Sequence, residues 1–375
     1  MWDNIPCEIQ EEILKRLPIK SLLHFRFVSK AWKSLIESSA FIADYQHTEL
    51  QQRILVRYDF KHKYVSIADD DTFPHQKVSL KVPVSVKLLK KPEIVGCSEG
   101  LFCLYDYFGT PSDRGTKTAV IWNPTIGNSV AVDVSDVLDR MRYITTVGFG
   151  VCLQTLDPML LNISTEYIPE ENNTFTDTTW RVEIFRLSSG AWRSLSINLP
   201  RRAVVIEKDY AQLIDRFIYW LAFDTFSRSS LIISFDMISE EFTEIRLPAN
   251  LAPTLDLYSS DLYLHKFNGS LVVLKDIYDV DVPEYGVWMM ENGDPKSFIK
   301  LYTIKDNKPD VTILSVFGYR KSGEPLVKVR TNEKEDYELS VYDPKSEHID
   351  YTGISAKASS FFVSAYTETL LLLDH

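Results

Sequence analysis

The chain has 375 residues, 45% hydrophobic and 25% charged, so a packed core is feasible and a disordered chain is not expected. Its formal net charge of −11 argues against a nucleic-acid binder, because phosphate contacts need a basic face. The length fits one large β domain plus a small module, or two ordinary domains.

Taken in chain order, Asp3, Glu8, Glu11 and Glu12 interrupt any apolar leader at the start. No apolar run approaches the ~18 residues of a membrane span, so no membrane partner is expected. Cys7, Cys97, Cys103 and Cys152 lie at irregular spacing without a CxxC, which indicates neither a metal site nor a disulfide framework. The chain is therefore expected in the cytoplasm, the nucleus or both, with no cofactor.

Pro6 suits a first helical position with Asn4 as its cap. Ile9, Ile13, Leu14 and Leu17 then recur at helical spacing, and Pro18 closes that helix. A second short helix is predicted around Ser21–Phe27. Ser29 reads as the cap of a third, in which Val28, Trp32, Leu35 and Ile36 form an apolar stripe. Leu22, Leu23, Phe25, Phe27, Val28 and Trp32 are a heavy apolar load for so short a segment. Three helices in about forty residues cannot bury it alone. Either it packs on the chain's own C-terminal part, or it docks a separate protein.

The strings Ile5-Pro6-Cys7-Glu8-Ile9, Glu12-Ile13-Leu14, Arg16-Leu17-Pro18, Lys20-Ser21-Leu22-Leu23, Phe25-Arg26 and Val28-Ser29-Lys30, with Trp32, resemble the F-box of plant F-box proteins. The match runs nearly gap-free over Ile5–Ile36; Ile5 stands where the family usually has Leu. The resemblance implies binding to a Skp-family adaptor and through it a cullin, in a ubiquitin ligase. By position, Ile5 and Pro6 match the motif's opening contact. Ile9, Ile13, Leu14, Leu17, Leu22, Leu23, Val28 and Trp32 match its apolar docking and core positions. Which of these touch the adaptor and which only hold the helices together stays open. Residues 1–45 form this module, and 46–375 a second domain.

From about Gln52 onward, short strand-like runs alternate with turn signals. One pattern recurs as Val120-Ile121-Trp122-Asn123-Pro124, Glu183-Ile184-Phe185-Arg186-Leu187, Ile233-Ser234-Phe235-Asp236-Met237 and Ser340-Val341-Tyr342-Asp343-Pro344, with Val287-Trp288 a looser copy. The aromatics are spaced by 63, 50, 53 and 54 residues, a period near that of kelch-type propeller blades. Second hairpins at Gly96–Leu104, Leu213–Leu221, Leu264–Leu274 and Gly318–Val329 complete about four strands per unit. Segments 95–132, 146–196, 212–247, 262–304 and 314–350 make five blades. A sixth closes from both ends, through Ile54–Tyr58 and Tyr64–Ile67 with Ser359–Ala365 and Thr369–Leu373. The terminal Leu370-Leu371-Leu372-Leu373 reads as a central closing strand, since a free tail would expose four leucines. Seven blades or an open ring remain alternatives to six.

Gly96-Cys97-Ser98-Glu99-Gly100-Leu101, Ile121-Trp122-Asn123-Pro124, Gly148-Phe149-Gly150 and Trp192-Arg193-Ser194-Leu195 resemble, in this order, the F-box-associated interaction domain of the plant kelch-like and S-locus F-box groups. That family implies capture of a target protein.

Recognition in β scaffolds falls to variable loops on a rigid frame. The candidates are Asp106–Lys117, Tyr167–Thr179, Phe223–Ser230 and Asp276–Tyr285, with Glu170, Glu171, Asp177, Asp224 and Asp276 as target-binding acids. Residues 1–45 balance six basic against six acidic side chains, so the remainder carries the whole deficit, and its target is expected to offer a basic surface. Lys87, Lys90 and Lys91 read as a solvated linker face rather than an anion site. Trp122, Trp192, Trp220 and Trp288 read as blade core rather than a ligand cage. No HExxH, GxxxxGK[ST] or GxGxxG motif occurs, and no pair of carboxylates is singled out for acid–base work. The reading is a non-catalytic receptor subunit, with a scaffold lacking ubiquitin transfer as the alternative.

Overall fold

The computed structural model describes residues 5–46, 51–59, 63–90, 92–106, 117–134, 143–166, 180–196, 199–201, 204–206, 211–252, 261–277, 284–291, 296–305, 311–331, 336–357 and 361–373. Helices come first: α1 (Cys7–Lys15), α2 (Ile19–Phe25), α3 (Lys30–Ile36) and α4 (Ser39–Gln46). Pro6 is the cap residue rather than the first helical one, with ψ 143°. Ser29 caps α3 as predicted, its hydroxyl accepting from the Trp32 amide at 3.1 Å. Val28 precedes that cap and stands exposed instead of joining the α3 stripe. The fourth helix was not expected. Its Phe41, Ile42 and Tyr45 are buried on one face, while Ser39, Ala40 and Asp44 are exposed.

The rest is six antiparallel sheets. The first uses β1 (Gln52–Asp59), β2 (Lys63–Ala68) and the three-residue β3 (Lys77–Ser79), after which the short α5 (Val84–Leu88) packs beside it. The second is β4 (Glu93–Ser98), β5 (Leu101–Tyr105), β6 (Lys117–Trp122) and β7 (Ser129–Val134). The third is β8 (Tyr143–Cys152), β9 (Asp157–Glu166), β10 (Trp180–Arg186) and β11 (Ala191–Leu195). In the fourth, β12 (Val204–Ile206) and β13 (Gln212–Ile214) both pair with β14 (Phe217–Asp224), followed by β15 (Ser229–Asp236) and β16 (Glu241–Arg246). The fifth is β17 (Leu262–Phe267), β18 (Ser270–Ile277), β19 (Glu284–Glu291) and β20 (Ser297–Lys305). The sixth is β21 (Val311–Tyr319), β22 (Pro325–Thr331), β23 (Tyr337–Asp343) and β24 (His348–Ala356). Finally β25 (Phe362–Thr367) returns to pair with β1 from Gln52↔Thr367 to Arg57↔Phe362, closing a six-bladed propeller.

The five recurring aromatics have one structural meaning. Trp122, Phe185, Phe235, Trp288 and Tyr342 all sit on the third strand of their blades, and all are buried. Glycine marks where blades meet. A Cβ on Gly148 would lie 2.5 Å from the ring of the buried Trp220, so β8 can approach the fourth blade this closely only without a side chain there. Trp192 is not blade core: it is half-buried on the outer strand β11, and its indole N–H donates to the Asp133 carbonyl of β7 at 2.8 Å, strapping two blades together.

Ring closure differs from the expectation at one point. Thr369–Leu373 is no strand; β25 ends at Thr367, and Leu371–Leu373 form a turn. The four leucines are nevertheless buried, in one cluster with Leu14, Ile19, Leu22, Ile36, Phe41 and Ile42 of the helices and Leu101, Cys103, Ile121 and Phe149 of the propeller. Four consecutive leucines satisfy either a buried strand or a buried plug, and periodicity cannot separate the two.

Candidate functional site

Alternation of strand direction gives the ring two rims. One carries the turns from first to second and from third to fourth strands; the other carries the second-to-third connections and the crossings between blades. The inner strands run in step. The Ser98 hydroxyl at the end of β4 accepts from the Val151 amide near the end of β8 at 2.9 Å, and the Cys97 Sγ lies 3.9 Å from the Ala365 carbonyl near the end of β25.

The helices sit on the turn rim at the second blade. The Gln46 side chain of α4 donates to Glu99 Oε2 at 3.2 Å and accepts from the Thr369 hydroxyl at 2.9 Å. Asn123, between β6 and β7 and fully buried, donates its amide to the carbonyls of Thr369 (3.0 Å) and Leu371 (2.8 Å). Asn128 donates to the Leu372 carbonyl at 2.8 Å. The Glu99-Gly100 turn lies against the same segment. Gly100 has φ +79°, and a Cβ there would come within 2.2 Å of the Thr367 carbonyl. Helices, C-terminal segment and second blade thus share one clamp.

This clamp divides the helical residues into two sets. Leu14 and Leu22 are buried in the core shared with the propeller, and Leu17, Leu23 and Trp32 are half-buried against it. The Trp32 indole N–H donates to Gln10 Oε1 (2.9 Å), and Gln10 Nε2 donates to the Ile5 carbonyl (2.8 Å), locking α3 to the start of α1. The apolar load is therefore only partly in want of a foreign surface; much of it is met by the chain's own propeller and C-terminal leucines. What stays outside is Pro6, Ile9 (52% exposed), Ile13, Phe27 (87%) and Val28 (63%), with Ile5 half-buried beside them. These form an exposed apolar tip that the fold does not use.

On the opposite, loop-bearing rim, β5 to β6, β9 to β10, β14 to β15 and β18 to β19 are the strand pairs that carry all four candidate loops. Glu170, Glu171 and Asp177 lie outside the described residues. Asp224 is buried, and its carboxylate accepts from the amides of Phe226 (2.9 Å) and Ser227 (3.2 Å) and from Arg201 (3.1 Å). Arg201 in turn grips Glu244 through both carboxylate oxygens. Asp224 therefore builds a stiff turn rather than presenting a free charge. That turn carries Phe226, 89% exposed, which sequence reasoning passed over. Asp276 is likewise buried, on β18. Replacing Phe226 by Ala is expected to leave the melting temperature within about 2 °C of wild type, because an exposed side chain contributes little to folding; a larger shift in thermal denaturation would show that the ring packs on the protein itself.

The ring axis holds a cavity of ≈ 550 Å³, lined by inner strands and their turns, including Cys97, His265, Lys266, Lys321 and Ser364. Burial in its wall holds His265 neutral, with its pKa pushed down to about 4 from 6.5. In the unfolded chain the imidazole takes up a proton near 6.5, so the folded state should lose stability as pH falls from 6.5 toward 4, by at most about 3 kcal/mol. Urea midpoints measured across that window should show one proton's worth of slope less in His265→Gln; equal slopes would contradict it.

Comparison with known proteins bears on both parts. The F-box domain model matches residues 2–43, and the model described as the F-box associated beta propeller domain matches residues 54–375. The Arabidopsis thaliana F-box/kelch-repeat protein At3g23880 is 28% identical over 259 residues, which cover 65% of this chain and 66% of that protein. The F-box protein At4g19940 of the same plant is 22% identical over 360 residues, covering 92% and 84%. Its F-box/LRR-repeat/kelch-repeat protein At2g27520 is 24% identical over 322 residues, covering 84% and 80%.

Proposed function

Because this chain belongs to the family in which an F-box precedes an F-box associated β-propeller, we propose that it is the substrate-recognition subunit of an SCF-type (Skp–cullin–F-box) ubiquitin ligase. The observation that carries the proposal is the exposed tip of Pro6, Ile9, Ile13, Phe27 and Val28, apolar surface on a module the chain otherwise packs tightly. A Skp-family adaptor covers that tip with Ile5 and Pro6 at its edge, and the adaptor joins it to a cullin. Leu14, Leu17, Leu22, Leu23 and Trp32 support the tip from behind.

The target is held at the other rim, on a frame whose orientation the Asn123–Gln46 clamp sets. The chain contributes proximity rather than bond chemistry, by raising the effective concentration of target lysines near a charged conjugating enzyme. It works without a cofactor, in the cytoplasm or nucleus. The net charge of −11, with Glu170, Glu171 and Asp177 in the sequence between β9 and β10, favours a target with a basic surface.

Co-expression with a Skp-family adaptor and a cullin tests the proposal. Recovery of both on the tagged chain is the expected result. Adaptor without cullin would instead assign a scaffold without ubiquitin transfer, and neither partner would overturn the reading.

A further inference from the structure

The stretch from Gln76 to Pro92 contains five lysines and no aspartate or glutamate, in a chain whose net charge is −11. Its centre is α5, which lies on the flank of the first and second blades. Val82, Val86 and Leu89 turn inward, in one cluster with Tyr64, Phe102, Val120 and Trp122. The Ser85 hydroxyl is 2.8 Å from that of Ser129, at the start of β7, which pins the helix in place. The other side of α5 shows Val84 (71% exposed) and Leu88 (76%), four residues apart and so on one helix face. Lys81 and Lys87 are exposed on the same short segment, and neither is in an ion pair among the described residues.

A solvated linker face accounts for the lysines but not for the two apolar side chains between them. Among the described residues, only Phe27, Val28, Val84, Leu88 and Phe226 are large apolar side chains exposed by more than 60%. Two of these belong to the helical tip and one to the loop rim. The pair on α5 belongs to neither, and it is flanked by the exposed Lys81 and Lys87. We propose that this flank is a second docking surface, which takes an acidic peptide segment of a partner protein bearing apolar side chains. Val84 and Leu88 contact its apolar residues, while Lys81 and Lys87 pair with its carboxylates. A rigid helix presenting both kinds of group loses little side-chain freedom on binding beyond the lysine stems. The surface is separate from the helical tip, and its proposal does not depend on adaptor binding.

The test uses the full chain and a fluorescein-labelled synthetic peptide, glutamate-rich with two leucines four residues apart, followed by anisotropy. Saturable binding that weakens with added salt is expected. Lys81→Glu/Lys87→Glu should weaken it about tenfold or more, since two attractions become repulsions. Val84→Ser/Leu88→Ser should weaken it about tenfold as well, because apolar burial is lost. All four side chains are exposed, so unchanged melting is the control for folding. The proposal is overturned if a leucine-to-serine peptide binds equally well, if either double variant binds like wild type, or if no saturable binding occurs. Capture of phosphatidylserine vesicles through the same residues without peptide binding would assign the flank to a membrane, and would equally overturn it. None of these results alters adaptor recovery, so failure here and failure of the ligase reading are distinguishable.

Discussion

Truncation after Glu368 is expected to cut the helical module loose while the propeller stays closed. The last strand, β25, ends at Thr367, so its pairing with β1 survives the deletion. What is lost is the plug of Leu370–Leu373, buried between helices and second blade. Truncating one buried leucine to alanine typically costs about 2–5 kcal/mol, so removing four exceeds what a small helical module can lose and remain seated. Calorimetry should show the wild-type chain unfolding with its helices and propeller coupled, and the truncated chain showing a separate early transition. Limited proteolysis should then release residues 1–46 first. One unchanged transition would contradict the shared core. Carrying the deletion back through Tyr366, whose hydroxyl lies 2.7 Å from Ser66 Oγ, also removes part of β25 and is expected to open the ring.

Asn123→Ala should be the most damaging single substitution outside the apolar core, at about 3–5 kcal/mol. It withdraws both donors from the Thr369 and Leu371 carbonyls, which are then buried without partners. It also withdraws the acceptor that the Thr125 amide uses at 2.8 Å. Asn123→Asp keeps the shape and the acceptor but aims a carboxylate at two carbonyl oxygens, so it should do no better. Gly100→Ala attacks the same clamp from its other side, through the Cβ clash with Thr367. Combined with Leu370→Ala, the Asn123→Ala loss should be less than additive, because both dismantle one seat. Chemical denaturation of the single and double variants measures this; strict additivity would mean the clamp is two independent contacts.

The propeller was legible because its repeat is local. In four blades the third strand closes with a buried aromatic (Trp122, Phe185, Phe235, Tyr342) at or next to its last residue, and that signature needs no knowledge of distant residues. Blade boundaries such as 262–304 against the observed Leu262–Lys305 follow from it. Features fixed by distant partners were not legible. Asn123 lies in a recognisable string, but its role depends on carbonyls some 246 residues away. The short α4 is hard to read because eight residues give its apolar face, Phe41, Ile42 and Tyr45, only about two turns in which to recur. In the helical module, Ile13 and Leu14 are adjacent and equally apolar, yet one faces solvent and the other the shared core. Sequence reading identified the set of docking and core positions without dividing it, because the division depends on where the propeller sits. On the loop rim, counting charge pointed to Asp224, whereas the fold uses Asp224 to hold up Phe226.

The adaptor-facing tip is the claim on which the rest depends, and calorimetric titration of a purified Skp-family adaptor into the chain tests it most directly. Ile9→Glu/Val28→Glu places two charges on side chains that the fold leaves exposed, so melting should be unchanged while binding falls at least a hundredfold, a loss of about 3 kcal/mol. Wild-type affinity in that folded double variant would show that the adaptor is held elsewhere.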